Sequence, residues 1–236
     1  GAPTFGAAFD FATAKLIGVG NRPEGLAVNP AGTQVWVANR NDDTLSVIDR
    51  ATDTVIATIP LKIVEPPKGK GKAKEKKIGK KPVAIGFSPD GKYAYVVGRN
   101  SDNLIVLSAT TYAILASIEV GNKPVALAVS GDGSKVYVAN RSGNTVAVVN
   151  TTTPTSPTLL TQVPVGEEPE GVALLNDGTK LYVTNSDSDT VSIFQVQFGP
   201  PYLSLLSTVN VGRGPTGVAV TRSGSFVDGD FVYVAN

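Results

Sequence analysis

Two glutamates stand in the same short context, Pro23-Glu24-Gly25 and Pro169-Glu170-Gly171, and three arginines, Arg40, Arg99 and Arg141, each follow a strand-like apolar run. A carboxylate pair whose pKa values are pushed apart can divide acid and base work, as glycosidases do. Arginine adds a planar fork of donors that matches a carboxylate or a phosphate. More cations precede the recurring prolines, namely Arg22, Lys80, Lys81, Lys123 and Arg213, while Glu167 and Glu168 take that place once. One side of this surface is therefore expected to be basic and the other acidic. Duplication alone would also repeat a residue in register, with Glu24 and Glu170 serving as ion-pair partners for the arginines. That reading outweighs catalysis by the pair, so Glu24, Glu170 and the cations named here, but not Glu167 or Glu168, are taken as binding residues and none as catalytic.

What is missing narrows the chemistry further. The 236 residues include no His, Cys or Met, which removes imidazole as a base, thiolate as a nucleophile, and every usual haem ligand except Tyr. Neither a metal site nor a cofactor is indicated. The segments Asn41-Asp42-Asp43-Thr44 and Ser186-Asp187-Ser188-Asp189-Thr190 offer the oxygen ligands calcium takes, but the corresponding Arg141-Ser142-Gly143-Asn144-Thr145 points to turn chemistry instead. No run approaches the ~18 apolar residues of a membrane span.

One segment is strongly basic. Between residues 62 and 81 there are nine lysines and two glutamates, a local charge of +7 in a chain whose total is +1. Lys68, Lys70, Lys72, Lys74, Lys76 and Lys77 lie in this arm, next to Lys80 and Lys81, and Pro66-Pro67 with Gly69 and Gly71 argue against a helix. The expectation is a mobile loop able to attract polyanions through counterion release.

The elements that must position these residues repeat. Pro23, Pro82, Pro124, Pro169 and Pro215 are spaced by 59, 42, 45 and 46 residues, and the long interval contains the lysine-rich insertion. Within one unit, Gly25-Leu26-Ala27-Val28 reads as a strand, Asn29-Pro30-Ala31-Gly32 as a turn and Val35-Trp36-Val37-Ala38 as a second strand; two more follow. Asp90-Gly91, Asp132-Gly133 and Asp177-Gly178 mark the same hairpin later. A four-stranded meander cannot bury both faces alone, so stacking around an axis is predicted: an all-β propeller. Full blades are expected over 19–61, 78–119, 120–164 and 165–210, with 62–77 as an inserted loop. A fifth blade would pair strands in residues 4–18 with those in 211–236, closing the ring. Trp36 and the recurring tyrosines are expected between blades.

The tetrapeptide Tyr182-Val183-Thr184-Asn185 and its variants Trp36-Val37-Ala38-Asn39, Tyr137-Val138-Ala139-Asn140 and Tyr233-Val234-Ala235-Asn236 make the chain resemble the YVTN family of β-propeller repeats. The second unit departs from it with Tyr95-Val96-Val97-Gly98. The resemblance implies that the loops leading into the first strands and those after each YVxN share one channel mouth. It also implies an exported protein, periplasmic, secreted or on the cell surface. From these features the expected function is a non-enzymatic binding or scaffold propeller. Its partner would be nucleic acid, an acidic polysaccharide or an acidic protein, contacted through the basic arm and the arginine-bearing face. Absence of His argues against the lyase and lactonase chemistry of related propellers. The alternatives are an enzyme using Glu24 and Glu170 or a quinone-type cofactor, and a structural surface-layer or adhesin repeat.

Overall fold

A computed structural model describes residues 15–65, 74–221 and 231–236. The strands run β1 (Pro23–Val28), β2 (Gln34–Asn39), β3 (Thr44–Asp49) and β4 (Thr54–Pro60), then the short pair β5 (Lys62–Glu65) and β6 (Lys74–Lys77). Three more sets of four follow: β7 (Pro82–Phe87) to β10 (Ile114–Glu119), β11 (Pro124–Val129) to β14 (Thr158–Pro164), and β15 (Pro169–Leu174) to β18 (Leu203–Asn210). Last come β19 (Gly217–Val220) and β20 (Val232–Ala235). Each set of four is one antiparallel sheet in chain order, and the blades meet through their first strands, β1 on β7, β7 on β11, β11 on β15 and β15 on β19.

Side-chain size explains that order of layers. Two residues after each recurring proline stands Gly25, Ala84, Ala126, Gly171 or Gly217, always small. A Cβ on Gly25 would lie 2.2 Å from the carbonyl oxygen of Val83, so neighbouring first strands approach too closely for a larger residue. The second and third strands sit between blades and are apolar on both faces. Trp36, Leu45 and Val47 pack on Ile85, Val96 and Ile105; Tyr95 and Leu104 pack on Val136 and Val138; Tyr137 and Val148 pack on Leu181 and Phe194. The Trp36 ring meets Phe87 and Tyr112 edge-on, with centroids 5.4 and 5.5 Å away, so it belongs to the inter-blade core as its alternation suggested.

A polar clasp repeats at the four blade junctions among the described residues. The residue before each recurring proline, Arg22, Lys81, Lys123 or Glu168, has φ near +50° (50, 52, 50 and 48), and Gly214 holds the place at +62°. In four of these the backbone N–H donates to a side chain of the preceding blade: Lys81 to Asp43 (2.8 Å), Lys123 to Asp102 (2.8 Å), Glu168 to Asn144 (3.0 Å) and Gly214 to Asp189 (2.9 Å). The acceptors are themselves left-handed, with φ of 52 to 56°. Both strained residues are thus held by one hydrogen bond, and the aspartates of the supposed calcium loops act as turn and clasp residues.

The YVxN asparagine is a buried anchor. Asn39 Nδ2 donates to Thr44 and Ser46 hydroxyls at 3.0 and 2.9 Å, and Asn185 repeats this with Thr190 and Ser192. In the second blade the partners have traded places: Gly98 pairs across the strands with Asn103, where the other blades pair Asn with Thr. Asn103 Nδ2 donates to the Ile78 carbonyl and to the Ser117 hydroxyl. The anchor therefore survives on the opposite strand.

Two expectations are revised. The lysine-rich insertion flanks as a β-hairpin, not a loop: Lys62 pairs with Glu75 at 2.7 Å, Lys76 with Glu65 at 3.7 Å, and Lys77 with Asp43 at 2.8 Å. Glu65 faces Lys74 in the register, and the Lys62–Glu75 and Lys76–Glu65 pairs run diagonally across the strands. Residues 15–18, expected as a fourth strand, form none; the rest of that N-terminal segment, with the five-blade closure that depends on it, lies outside the described residues.

A double-mutant cycle tests the exchange. Asn103→Thr strands a buried carbonyl and is expected to cost roughly 1–3 kcal/mol. Gly98→Asn alone would press a Cβ to 2.2 Å from Ser101 Oγ and 2.7 Å from Asn103 Oδ1. Together the two should regain stability in thermal unfolding; strictly additive losses would contradict the swap.

Candidate functional site

A β-bulge opens each of the four complete first strands. In the fourth blade Pro169 pairs with Asn185 and Gly171 with Thr184, which leaves Glu170 as the extra, unpaired residue; in the first blade the irregularity spans Pro23 to Leu26 and contains Glu24. A bulge turns a side chain away from the regular alternation of a strand. Here it turns the two glutamates toward the arginines that follow the second strands.

The ion pairs are specific. Arg40 Nη1 donates to Glu24 Oε2 at 2.9 Å within one blade. Arg141 reaches into the next blade, where its Nη2 contacts Glu168 Oε2 and its Nε lies 2.7 Å from Glu170 Oε1. That second contact is off the hydrogen-bond axis, so the buried Nε–H of Arg141, like that of Arg40, has no acceptor in place among the described residues. Arg99, half-buried, has no ion pair among them either: its own blade carries Val83 and the next blade Val125 at the register of Glu24 and Glu170. Burial pushes the Glu170 carboxyl above its ordinary value; Arg141 and Arg99 oppose this, and Glu168 and Glu24 reinforce it. Glu170 therefore feels charges from the first, second and third blades, and Glu24, Arg40, Arg99, Arg141, Glu168 and Glu170 form one electrostatic cluster. Desolvated carboxylate, pairing guanidinium and unsatisfied donors together make a proton-accepting site beside an anion-stabilising one.

The remaining residues stand outside this cluster. Arg22, Lys80, Lys123 and Arg213 are exposed on the loops leading into first strands, and Lys81 contributes its backbone N–H to the Asp43 clasp. Lys74, Lys76 and Lys77 are on the exposed strand β6, whereas Lys68, Lys70 and Lys72 lie outside the described residues. Glu168 was not singled out as a binding residue. Its register with Arg22, Lys81 and Lys123 was the available signal, since an acid in that place must face the preceding blade's arginine.

The chain belongs to the family described as "Lactonase, 7-bladed beta-propeller", whose model matches residues 85–221. Among solved structures it is similar to the periplasmic gluconolactonase of Pseudomonas aeruginosa, with a TM-score of 0.70 at 19% identity over 92% of this chain and 64% of that one. It is also similar to the Kuenenia stuttgartiensis hydrazine synthase, at 0.66 and 18% over 89% of this chain and 55% of that one. A Bacteroides uniformis protein provisionally assigned as a 6-phosphogluconolactonase gives 0.63 and 16% over 80% of this chain and 55% of that one. These likenesses establish a propeller fold, and the chain spans between 55% and 64% of the length of the three structures. No curated protein matches it.

Family membership overturns the expectation of a non-enzymatic binding or scaffold propeller, and with it the inference from absent histidine. In general, a carboxylate raised by burial can serve as a base without imidazole. Among the described residues no helix is long and apolar enough to cross a membrane.

Removing Arg141 tests the electrostatics. In Arg141→Met, Glu170 loses the strongest influence holding its pKa down, so its titration midpoint, followed by carboxyl-carbon NMR, should move further upward. An unchanged midpoint would show that the two groups are not coupled.

Proposed function

We propose that the chain carries a lactonase-type site that opens a sugar lactone by hydrolysis at the channel mouth. The carrying observation is Glu170: an unpaired bulge residue, desolvated, held by Arg141 and within the field of Arg99, in a member of a lactonase family. In the reaction, Glu170 takes a proton from water as the oxygen attacks the lactone carbonyl carbon. Negative charge then builds on the carbonyl oxygen, where the guanidinium groups of Arg141 and Arg99 offset it. The ring C–O bond breaks, and the departing oxygen takes up the proton from Glu170, leaving a hydroxy acid.

Glu24 serves as a second acidic group across the mouth, with Arg40 holding it in place. Names of two neighbours, a gluconolactonase and a provisional 6-phosphogluconolactonase, support gluconate-type lactones as the first substrates to test. The same gluconolactonase is periplasmic, which supports an exported location here and agrees with the YVTN-like repeats.

Hydrolysis of glucono-1,5-lactone and its 6-phosphate, measured as acid release above the spontaneous rate, is the direct check. Glu170→Gln should lower the catalysed rate by about 10²-fold or more, whereas Glu24→Gln should lower it less. Because the base works deprotonated, activity should fall as pH drops through the Glu170 pKa, on a limb above the ordinary carboxylate range. A Glu170→Gln protein as active as the original would sink the assignment.

A further inference from the structure

The opposite face of the propeller, reached by the loops between first and second strands, has a cleft of its own. It lies between the third and fourth blades, has a volume of about 530 Å³, and is lined by Lys135, Gln195, Gln197 and Phe198 together with the two Asp-Gly turns at Asp132 and Asp177. That volume is in the range of small-ligand sites. The channel-mouth cluster is at the other end of the strands, so this cleft is independent of the proposed lactonase site.

Three features of the lining point to one ligand class. First, Gln195 at the end of β17 (Thr190–Val196) and Gln197 just beyond it stand two residues apart, so both project to one side of the strand. Their amides are fixed in place, Gln195 Nε2 donating to the Thr179 carbonyl and Gln197 Nε2 to the Ser204 hydroxyl, both at 2.9 Å. Each leaves its Oε1 facing no partner among the described residues, and the Lys135 ammonium has no ion pair there. The cleft thus offers oriented acceptors beside a strong donor.

Second, Phe198 is 98% exposed at the rim. The corresponding cleft between the second and third blades, about 450 Å³, is lined by Ser88, Asp90, Tyr93 and Thr152 and has no such exposed ring. The β17–β18 connection of the fourth blade therefore adds an aromatic surface that its neighbour lacks. Third, the charge is mildly acidic. The Ser130 hydroxyl, helped by Ser134, holds the Asp132 carboxyl down to about 2 against a smaller opposing effect of burial, and Thr179 lowers that of Asp177, so both stay ionised at neutral pH beside the single Lys135. Two carboxylates against one ammonium disfavour phosphate and carboxylate ligands.

We propose that this cleft binds an uncharged saccharide, with Phe198 stacked on the apolar face of one sugar ring and Gln195, Gln197 and Lys135 bonding its hydroxyls. Aromatic rings combine apolar contact area with a defined geometry, and planar amides match vicinal hydroxyls.

The test uses the full chain and three probes, maltose, cellobiose and glucose 6-phosphate, observed by saturation-transfer NMR and titrated by calorimetry. At least one disaccharide should bind with Kd near ~1 mM, and Phe198→Ala and Gln197→Ala should each weaken it by about tenfold. Both substitutions are on the surface, and thermal melts would confirm unchanged folding. Phe198→Ala should leave lactone hydrolysis intact, and Glu170→Gln should leave disaccharide binding intact. No binding of either disaccharide, equal binding by Phe198→Ala, or binding of glucose 6-phosphate alone would overturn the proposal.

Discussion

The close approach of neighbouring first strands governs the rest of the molecule. Gly25 and Gly171, whose added Cβ atoms would lie 2.2 and 2.8 Å from backbone oxygens of the next blade, bring these strands close together. Pairing starts at the proline, and the bulge that follows leaves one residue outside the ladder. Where that residue is Val83 or Val125 the bulge only packs. Where it is Glu24 or Glu170 the same geometry delivers a carboxylate to the arginines.

The electrostatics follow from this placement. Arg40, Arg99 and Arg141 occupy one register but different surroundings, because the acid beside each is its own blade's, absent, or the next blade's. Repetition supplies the positions, and departures from it supply the different ion pairs. Glu170 is desolvated yet close to two guanidinium groups, a balance of burial against charge that leaves its pKa raised. Glu24 is more exposed, with its side chain 38% accessible, and keeps a single arginine partner. Two glutamates of identical sequence context thus acquire different environments.

Much of the fold was legible in the sequence because the spacing of prolines, Asp-Gly turns and YVxN strands repeats four to five times, and each copy checks the others. The pairing of Glu24 and Glu170 with arginines was legible for the same reason. What escaped was relational. No single repeat shows that Asn103 replaces the missing YVxN asparagine from across the strand pair, since the exchange appears only in register. The hairpin of β5 and β6 was missed because four residues of mixed lysine and glutamate carry too short a pattern, and only the cross-strand pairs reveal it. The raised pKa of Glu170 was not legible either, because burial is not written in residue type.

The most direct measurement of the central claim is a crystal structure of the protein with a non-hydrolysable lactam analogue of gluconolactone. The account predicts density at the channel mouth, with the lactam carbonyl oxygen against the guanidinium groups of Arg99 and Arg141 and the carbonyl carbon within one water of Glu170. An analogue bound away from Glu170, or with its carbonyl facing none of these arginines, would contradict it.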